Sequence, residues 1–536
     1  MDVESFRRAA HAAVDEICDH YLSMRDKPVT AQVKPGFLTD ALPDTAPSSG
    51  QDWSSINEDF HSLVMPGMTQ WQHPKFMAYY PANVSFEGIL GDMWAAALTN
   101  PGFNWICSPS VTELELKMVD WMAEAFHLDP AFKQRGGPQS KGGGLIFGSA
   151  SEATLTVAIA ARDRALRHLT AVSGQIEPSR EWAAEATGKL VMYGSTETHS
   201  VGSKAAQILG LRFRALPVTL QNRLALRGDT LAAALKDDVR AGLVPFMVCA
   251  TIGTTSSSAV DALDEIASAA MMPAKVAGAN VGIHDLLDGS TNGVKGDGTD
   301  EGARRESLPP IWLHVDAAYA GPALCLPEIQ TKYQKELSAL NAKFDSISLN
   351  MHKWGLVNFD CSPLWVKDRA QLAASLTVTP EYLKTTAAAN DPSVLDLRNY
   401  QISLGRRFRS LKVWFVLRSH GIEGLRQHLR DDIVLAERFK RLIEDEGDPW
   451  QLVEFNFALL VVRLKPASSD ADADSRTRAL WAALEKHNHE LLLTQTSIPG
   501  AGFCIRIALG CPRTQERDVD DAFAVLKLAA TEAKLA

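Results

Sequence analysis

Ser346-Ile-Ser-Leu-Asn-Met-His-Lys-Trp354 is the stretch that decides the fold. A short, β-favouring run ends in Asn350 and passes at once into a histidine and a lysine. Such a run reads as a strand buried in a sheet, with its polar tail at the strand's C-terminal edge. The same pattern recurs upstream. Ile311-Trp-Leu-His-Val-Asp-Ala-Ala-Tyr319 closes on Asp316, and the runs at 190–193 and 246–250 are similar, with Ala-rich helical stretches between them. This alternation, from about residue 86 to 369, predicts an α/β fold with a mostly parallel central sheet covered by helices. In such sheets ligands sit beyond the C-terminal ends of the strands.

Outward from this core the patterns change. Residues 4–24 carry helical periodicity through Phe6, Ala10, Ala13, Val14, Ile17, Tyr21 and Leu22. A Pro/Gly/Ser-rich connector covers about 27–51, and a second helical stretch runs from Ser54 toward Met65. Two helices on an extended arm cannot enclose a core, so residues 1–85 are expected to be a helical segment packed on something else, a partner subunit being one choice. Residues 86–421 form the expected large domain. Within it, 275–310 is rich in Gly, Asp and Ser and is expected to be a disordered surface insertion. From about 422 the order is helix, strand (457–464), helix (476–488), strand (503–509) and helix (519–533). Residues 422–536 are therefore expected to be a small α+β C-terminal domain.

Composition narrows the function. The 536 residues are 46% hydrophobic and 22% charged, as expected of a globular chain long enough for two or three subdomains. The net charge of -10 argues against nucleic acid as a partner, the Arg406-Arg407-Phe408-Arg409 cluster notwithstanding. Seven scattered cysteines with no C-x-x-C argue against a disulfide framework or structural zinc. His487-Asn-His489 has no further ligands nearby in sequence, so no metal is assigned. The first residues lack an apolar h-region and no run is long enough to span a bilayer, so no membrane partner and a cytoplasmic location are expected.

Four features at expected strand ends could build one site. Lys353 follows a buried strand, where desolvation lowers an amine's pKa and makes it the nucleophile that Schiff-base chemistry requires. Asp316 ends another strand, where a carboxylate can hold a pyridinium N–H. Gly142-Gly-Gly-Leu-Ile-Phe-Gly-Ser-Ala-Ser-Glu-Ala153 leads glycines into the Ser-rich start of a helix, a cradle for phosphate; Ser149 and Glu152 also have capping-box spacing. His199, in Ser195-Thr-Glu-Thr-His-Ser-Val201, could stack on a planar ring. Each has a plainer reading alone: a lysine snorkelling to water, a helix N-cap, a glycine-rich helix start, a loop histidine. Their joint occurrence points to pyridoxal 5'-phosphate (PLP).

At these residues the sequence resembles the group II PLP-dependent decarboxylases, most closely the aromatic-L-amino-acid decarboxylases. The matching motifs include Phe6-Arg-Arg, Met65-Pro-Gly-Met-Thr-Gln-Trp71, His73-Pro, Ala78-Tyr-Tyr-Pro81, Gly102-Phe-Asn-Trp105 and Ser108-Pro-Ser-Val-Thr-Glu-Leu-Glu115. They continue through Gly148-Ser-Ala-Ser-Glu-Ala-Thr154, His314-Val-Asp-Ala-Ala-Tyr-Ala320, Asn350-Met-His-Lys-Trp354, Asn358-Phe-Asp-Cys361 and Leu404-Gly-Arg-Arg-Phe-Arg-Ser-Leu-Lys412. The resemblance implies fold type I, the aspartate-aminotransferase-like PLP-dependent transferase fold, in a homodimer with sites at the subunit interface. It implies that Lys353 holds the cofactor as a Schiff base. Asp316 would then pair with the ring nitrogen, Ala318 would lie against the ring, and His199 would stack on its other face. Phosphate would be held by Ala150 and Ser151 with Asn350 and His352, and Thr251 would contact the cofactor near the reacting centre.

The resemblance also bears on outcome and substrate. Tyr382 lies in Val378-Thr-Pro-Glu-Tyr-Leu-Lys-Thr-Thr-Ala-Ala-Ala-Asn390, within an expected mobile catalytic loop at 378–399. A tyrosine here implies proton delivery to Cα over the partner's site, whereas phenylalanine accompanies O₂-consuming aldehyde synthases. Trp71, Tyr79, Tyr80, Pro81, Ala82, Phe103 and Gly405 match substrate positions, with Trp105 adding to the aromatic wall. Glycine at 405 leaves room for an indole, which favours tryptophan or 5-hydroxytryptophan over dopa, tyrosine or phenylalanine. Two departures stand out: Ala82 where many relatives have Thr, and Met351 where many have Pro. The main expectation is an aromatic amine plus CO₂. An aldehyde synthase on the same fold is the first rival and a cofactor-free scaffold the second. Peroxide and ammonia released with the CO₂ would favour the former rival, and absence of a borohydride-sensitive absorbance at Lys353 the latter.

Overall fold

The runs leading to His199, Thr251, Asp316 and Lys353 lie side by side in one seven-stranded sheet. Its strands are β1 (Gly143–Phe147), β2 (Leu190–Ser195), β3 (Arg212–Leu216), β4 (Val244–Thr251), β5 (Trp312–Ala317), β6 (Ser346–Leu349) and β7 (Ser362–Val366). The structure, a computed structural model, describes residues 1–137, 140–173, 179–271, 308–391, 393–467 and 470–535. All of the 275–310 stretch except 308–310 lies outside the described residues.

The strand order is β1-β7-β6-β5-β4-β2-β3. Strands β6, β5, β4, β2 and β3 are mutually parallel. β7 runs antiparallel to both β6 and β1, so β1 again points the same way as β6. The expected mostly parallel sheet is therefore observed, and the C-terminal ends of β1, β2, β4, β5 and β6 share one edge. Every residue of β2, β4, β5, β6 and β7 is buried. This explains why these strands read as continuous apolar runs rather than alternating ones. The helix Ala150–Val172 packs Ala153, Val157, Ala161 and Ala165 against Leu145, Phe147, Met192, Phe246 and Trp312. Burying one such valine, leucine or phenylalanine contributes about 1.5–3 kcal/mol.

Three strands of this sheet were not anticipated. β1 looked like a glycine-rich approach to a helix. Its glycines are needed because a Cβ on Gly144 would stand 2.1 Å from the Leu364 carbonyl oxygen across the strand pair. β3 is half exposed at the sheet's edge, where Arg212 and Arg214 are tolerated. β7 is short and begins with Ser362 and Pro363.

The described residues form two units, Asn83–Leu429 and a second comprising Met1–Ala82 with Arg430–Ala536. The second unit contains a four-stranded antiparallel sheet of order β10-β11-β9-β8, from β8 (Trp450–Asn456), β9 (Leu459–Leu464), β10 (Thr494–Ile498) and β11 (Gly502–Ala508). Only β9 and β11 were expected. β8 and β10 are the outer strands, mostly half buried or exposed, and so lack the continuous buried apolar run that marks the inner pair. The helix Asp470–Leu484 packs on β9 and β11, and Glu516–Glu532 packs against that helix. The arm at 69–82 is tied to this sheet: Met77 N–H donates to the Leu492 carbonyl, and Ala508 N–H to the Met77 carbonyl. Val3–Leu22 is helical as expected and buries none of its residues within the chain. The helix expected from about 422 belongs to a longer one, Arg409–Glu446, broken at Gly421 (φ 63°).

Candidate active site

Register and hydrogen bonding bring the strand-end residues to one edge. Thr251 pairs with Asp316 across β4 and β5, and Asp316 pairs with Ser348 across β5 and β6. Asp316 is buried, at 3% exposed, and its Oδ1 accepts the Ala318 N–H at 2.9 Å. That leaves Oδ2 for another donor and fixes Ala318 beside the carboxylate. β6 ends at Leu349, and the chain turns through the single helical turn Met351–Trp354, which carries His352 and Lys353. Asn350 starts this turn. Its N–H donates to the Ala318 carbonyl at 3.1 Å and its Oδ1 accepts the Ser362 hydroxyl at 2.6 Å.

Ser362 also joins the expected phosphate cradle to this corner, because it is the register partner of Phe147 at the end of β1. Gly148 and Ser149 follow, and the helix Ala150–Val172 begins. Half of the expected capping box forms. Ser149 Oγ accepts the Glu152 N–H at 3.2 Å, while the Glu152 carboxylate takes the Gly148 N–H, one residue earlier than the motif's usual donor. Ala150 and Ser151 thus stand in the first turn with the positive end of a 23-residue helix.

Both histidines are oriented by a backbone amide. His352 Nδ1 accepts the Cys361 N–H at 2.8 Å, so a neutral ring carries its proton on Nε2 and presents a donor. Burial, with the Lys353 charge in support, lowers its pKa to about 4. His199 Nδ1 accepts the Val201 N–H at 3.1 Å, with the same consequence. His199 is exposed, yet the protein atoms around its ring lower its pKa by desolvation. The Asp316 carboxylate opposes that shift and the Lys353 ammonium adds to it. Residues on three elements, at the ends of β2, β5 and β6, therefore act on one another here.

Thr251 is 3% exposed, and its Oγ1 is buried without any hydrogen-bonding partner. Its position is held by Asp261, which sequence reasoning missed. Asp261 Oδ2 accepts the Thr251 N–H at 2.8 Å and Oδ1 the Leu226 N–H at 2.7 Å. Full burial raises the Asp261 carboxyl to about 7 against the pull of these two amides. Its only sequence signal is an aspartate ending a serine-rich turn ten residues after the strand.

The residues present fit PLP. The corner offers an amine, a buried carboxylate with a free oxygen, a helix start flanked by the oriented donor of His352, and one buried hydroxyl in need of a partner. Other expected residues lie elsewhere. Tyr382, in the turn Glu381–Leu383, is 77% exposed. Phe103 is half buried, and its carbonyl accepts the Arg398 N–H at 3.2 Å. Gly405 is exposed, and a Cβ there would meet nothing within 4 Å. Trp71, Tyr79, Tyr80, Pro81 and Ala82 belong to the other unit. There Trp71 stacks on Tyr79 at 5.7 Å, and Arg506 covers the Tyr80 ring at 4.9 Å. Pro81 is buried, and the Ala82 carbonyl accepts Gln72 Nε2 at 2.5 Å. None of the seven cysteines forms a disulfide, and among the described residues no helix is long and apolar enough to cross a membrane.

Comparison with known proteins agrees with this chemistry. The pyridoxal-dependent decarboxylase conserved domain matches residues 35–465. Tyrosine decarboxylase 2 of Narcissus pseudonarcissus is 38% identical, over 99% of this chain and 95% of its own. Phenylacetaldehyde synthase of Arabidopsis thaliana is also 38% identical, over 98% of this chain and 96% of its own. Among solved structures, Oryza sativa TDC with PLP and tryptamine superposes with a TM-score of 0.85 at 34% identity, covering 99% of each chain.

Proposed function

The chain belongs to the pyridoxal-dependent decarboxylases, and from that premise we propose that it converts an aromatic L-amino acid to its amine and CO₂, with tryptophan or 5-hydroxytryptophan ahead of dopa, tyrosine and phenylalanine. As a member it is a carboxy-lyase with the PLP-enzyme fold and PLP as its cofactor. The observation that carries the reading is that His199, Asp316 and Lys353 lie at or just beyond the C-terminal ends of β2, β5 and β6 of one sheet, with Asp316 in register between Thr251 and Ser348.

When bound, PLP supplies a protonated heteroaromatic ring that accepts the electron pair of the broken Cα–carboxylate bond. The chain's own residues do the rest. Lys353 holds the cofactor through Nζ. Asp316 keeps a proton on the ring nitrogen through Oδ2, because Oδ1 is occupied by the Ala318 amide. His199 and Ala318 would lie on either side of the ring. The first turn at Ala150 and Ser151, with Asn350 and His352, anchors the phosphate, and Thr251 supplies its hydroxyl. Tyr382 returns a proton to Cα. Substrate recognition is assigned to Phe103 and Gly405 and, on the family resemblance alone, to Trp71, Tyr79, Tyr80, Pro81 and Ala82.

The same proposal includes a cytoplasmic homodimer. Two observations support a second copy: the helix Val3–Leu22 buries nothing of its own, and Leu90, Trp94 and Leu98 lie exposed on the helix Phe86–Leu98. A second reading, an aromatic aldehyde synthase, is favoured by the equal identity to the Arabidopsis synthase. One experiment tests both. The PLP-loaded enzyme is incubated with a panel of aromatic amino acids, and amine, aldehyde, ammonia and peroxide are quantified against CO₂. Amine without O₂ uptake is expected, and Tyr382→Phe should divert product to aldehyde. Peroxide matching CO₂ in the parent enzyme would replace the first reading by the second.

A further inference from the structure

One side chain holds both ends of the turn that carries Tyr382. Arg398 donates from NH1 to the Val378 carbonyl at 2.9 Å and from NH2 to the Leu383 carbonyl at 3.2 Å. These carbonyls bracket the turn Glu381–Leu383. The guanidinium is 5% exposed and faces Asp396 Oδ2 at 3.7 Å, a carboxylate that is itself 5% exposed. The same pair grips a second segment. Asp396 Oδ1 accepts the Trp105 N–H at 3.1 Å, and the Arg398 N–H donates to the Phe103 carbonyl. Leu383 is buried while Tyr382 stands out at 77% exposure, so the grip is on the backbone and leaves the phenol free.

A buried cation is a poor source of stability, because desolvation consumes most of the attraction to its partner. Geometry is what an arginine provides here. Its planar fork reaches two carbonyls at once, which a lysine's single ammonium on a flexible stem cannot do with fixed spacing. We propose that Arg398, balanced by Asp396, is a positioning residue that sets the pose of the Tyr382 turn against the 103–105 segment and thereby decides how product divides between amine and aldehyde. This rests on the reading above that Tyr382 returns the proton to Cα. If that proton arrives late, O₂ takes two electrons from the substrate carbon and leaves as hydrogen peroxide. Water then supplies the aldehyde oxygen and the amino group leaves as ammonia. The balance is amino acid + O₂ + H₂O giving aldehyde + CO₂ + NH₃ + H₂O₂.

The test uses the PLP-loaded enzyme with Arg398→Lys and Arg398→Gln, and with Tyr382→Phe as reference. Arg398→Gln should lower the rate of amine formation by about tenfold, the loss expected from one charge-assisted hydrogen bond, and raise peroxide per CO₂. Arg398→Lys should fall between it and the parent, and KM should stay within about twofold. A merely structural role would lower all products together. An unchanged amine share in both arginine variants, while Tyr382→Phe diverts product, overturns the proposal alone. An unchanged share in Tyr382→Phe removes the underlying reading and the partition claim with it. Hydrogen exchange on the parent enzyme covers variants that do not fold. Amides 381–384 should exchange at least about tenfold more slowly than an unstructured peptide, and exchange at the peptide's rate overturns the latch.

Discussion

Replacing Thr251 by valine should make the cofactor-free protein more stable and the cofactor weaker-binding, two effects of opposite sign from one atom. Thr251 Oγ1 is buried at the end of β4 with no partner among the protein's own groups. An unmatched hydroxyl of this kind costs about 1–3 kcal/mol. Valine keeps the β-branch and the volume, suits a strand, and removes the unmatched oxygen. The cofactor-free form should therefore gain about 1–2 kcal/mol. If the hydroxyl instead finds its partner on bound PLP, the variant forfeits a hydrogen bond of about 1–1.5 kcal/mol, roughly tenfold in affinity. Because a ligand stabilises the folded state in proportion to its affinity, the advantage of the variant should shrink or reverse as PLP is added. The assay is a PLP titration followed by absorbance, with urea midpoints of parent and variant measured side by side with and without cofactor. A less stable cofactor-free variant together with unchanged PLP affinity would refute the reasoning, since the hydroxyl would then be satisfied within the protein and idle toward the ligand.

Other perturbations have equally definite outcomes. Glu115→Gln should lower stability by about 3–5 kcal/mol, read as a urea midpoint, because Arg406 and Glu115 are both fully buried and the variant leaves the guanidinium without a counter-charge. A loss under 1 kcal/mol would mean that the cation finds another partner. His487 contacts Glu532 at 3.2 Å and Glu490 at 3.5 Å, and these raise its pKa. With the folded pKa above the unfolded one, the stabilisation is full below about pH 6.5 and fades as pH rises through the folded value. His487→Gln should flatten that part of the pH–stability curve by less than about 1 kcal/mol, since solvent screens the pair. A steeper curve in the variant would contradict the sign. Gly405→Ser should leave the melting temperature unchanged, because the added Cβ meets nothing within 4 Å. Any swing in kcat/KM from indole toward phenol substrates then reports recognition directly, and an unchanged ratio would remove Gly405 from the specificity set.

What could be read from the chain alone follows from what a strand needs in order to be visible. β5 and β6 are buried on both faces and therefore declare themselves as apolar runs, and β6 was bounded to the residue. β3, β8 and β10 sit at sheet edges or half exposed, where polar side chains cost little, and left no such trace. Roles for Lys353, Asp316 and His199 could be framed because each ends a legible strand. Asp261, Asp396 and Arg398 act by gripping backbone amides or carbonyls of distant segments. That function depends on spacing in three dimensions and imposes no local pattern.

The antiparallel strand β7 explains how residues two hundred positions apart come to share a corner. Its register pairs Phe147 with Ser362, and Ser362 in turn bonds Asn350, three residues before the lysine. Had β1 instead joined beyond β3, the start of the helix Ala150–Val172 would lie five strands from β6. At about 4.8 Å per strand that is roughly 24 Å, too far for one phosphate ester and one imine carbon of a single small molecule to reach both. Reversal through β7 turns β1 parallel to β6 at a separation of two strands, about 10 Å. The helix start and Lys353 then face the same edge within the span of a pyridoxal phosphate. On the roles proposed for Lys353 and the helix start, the one antiparallel element in an otherwise parallel sheet is what lets a single cofactor reach both.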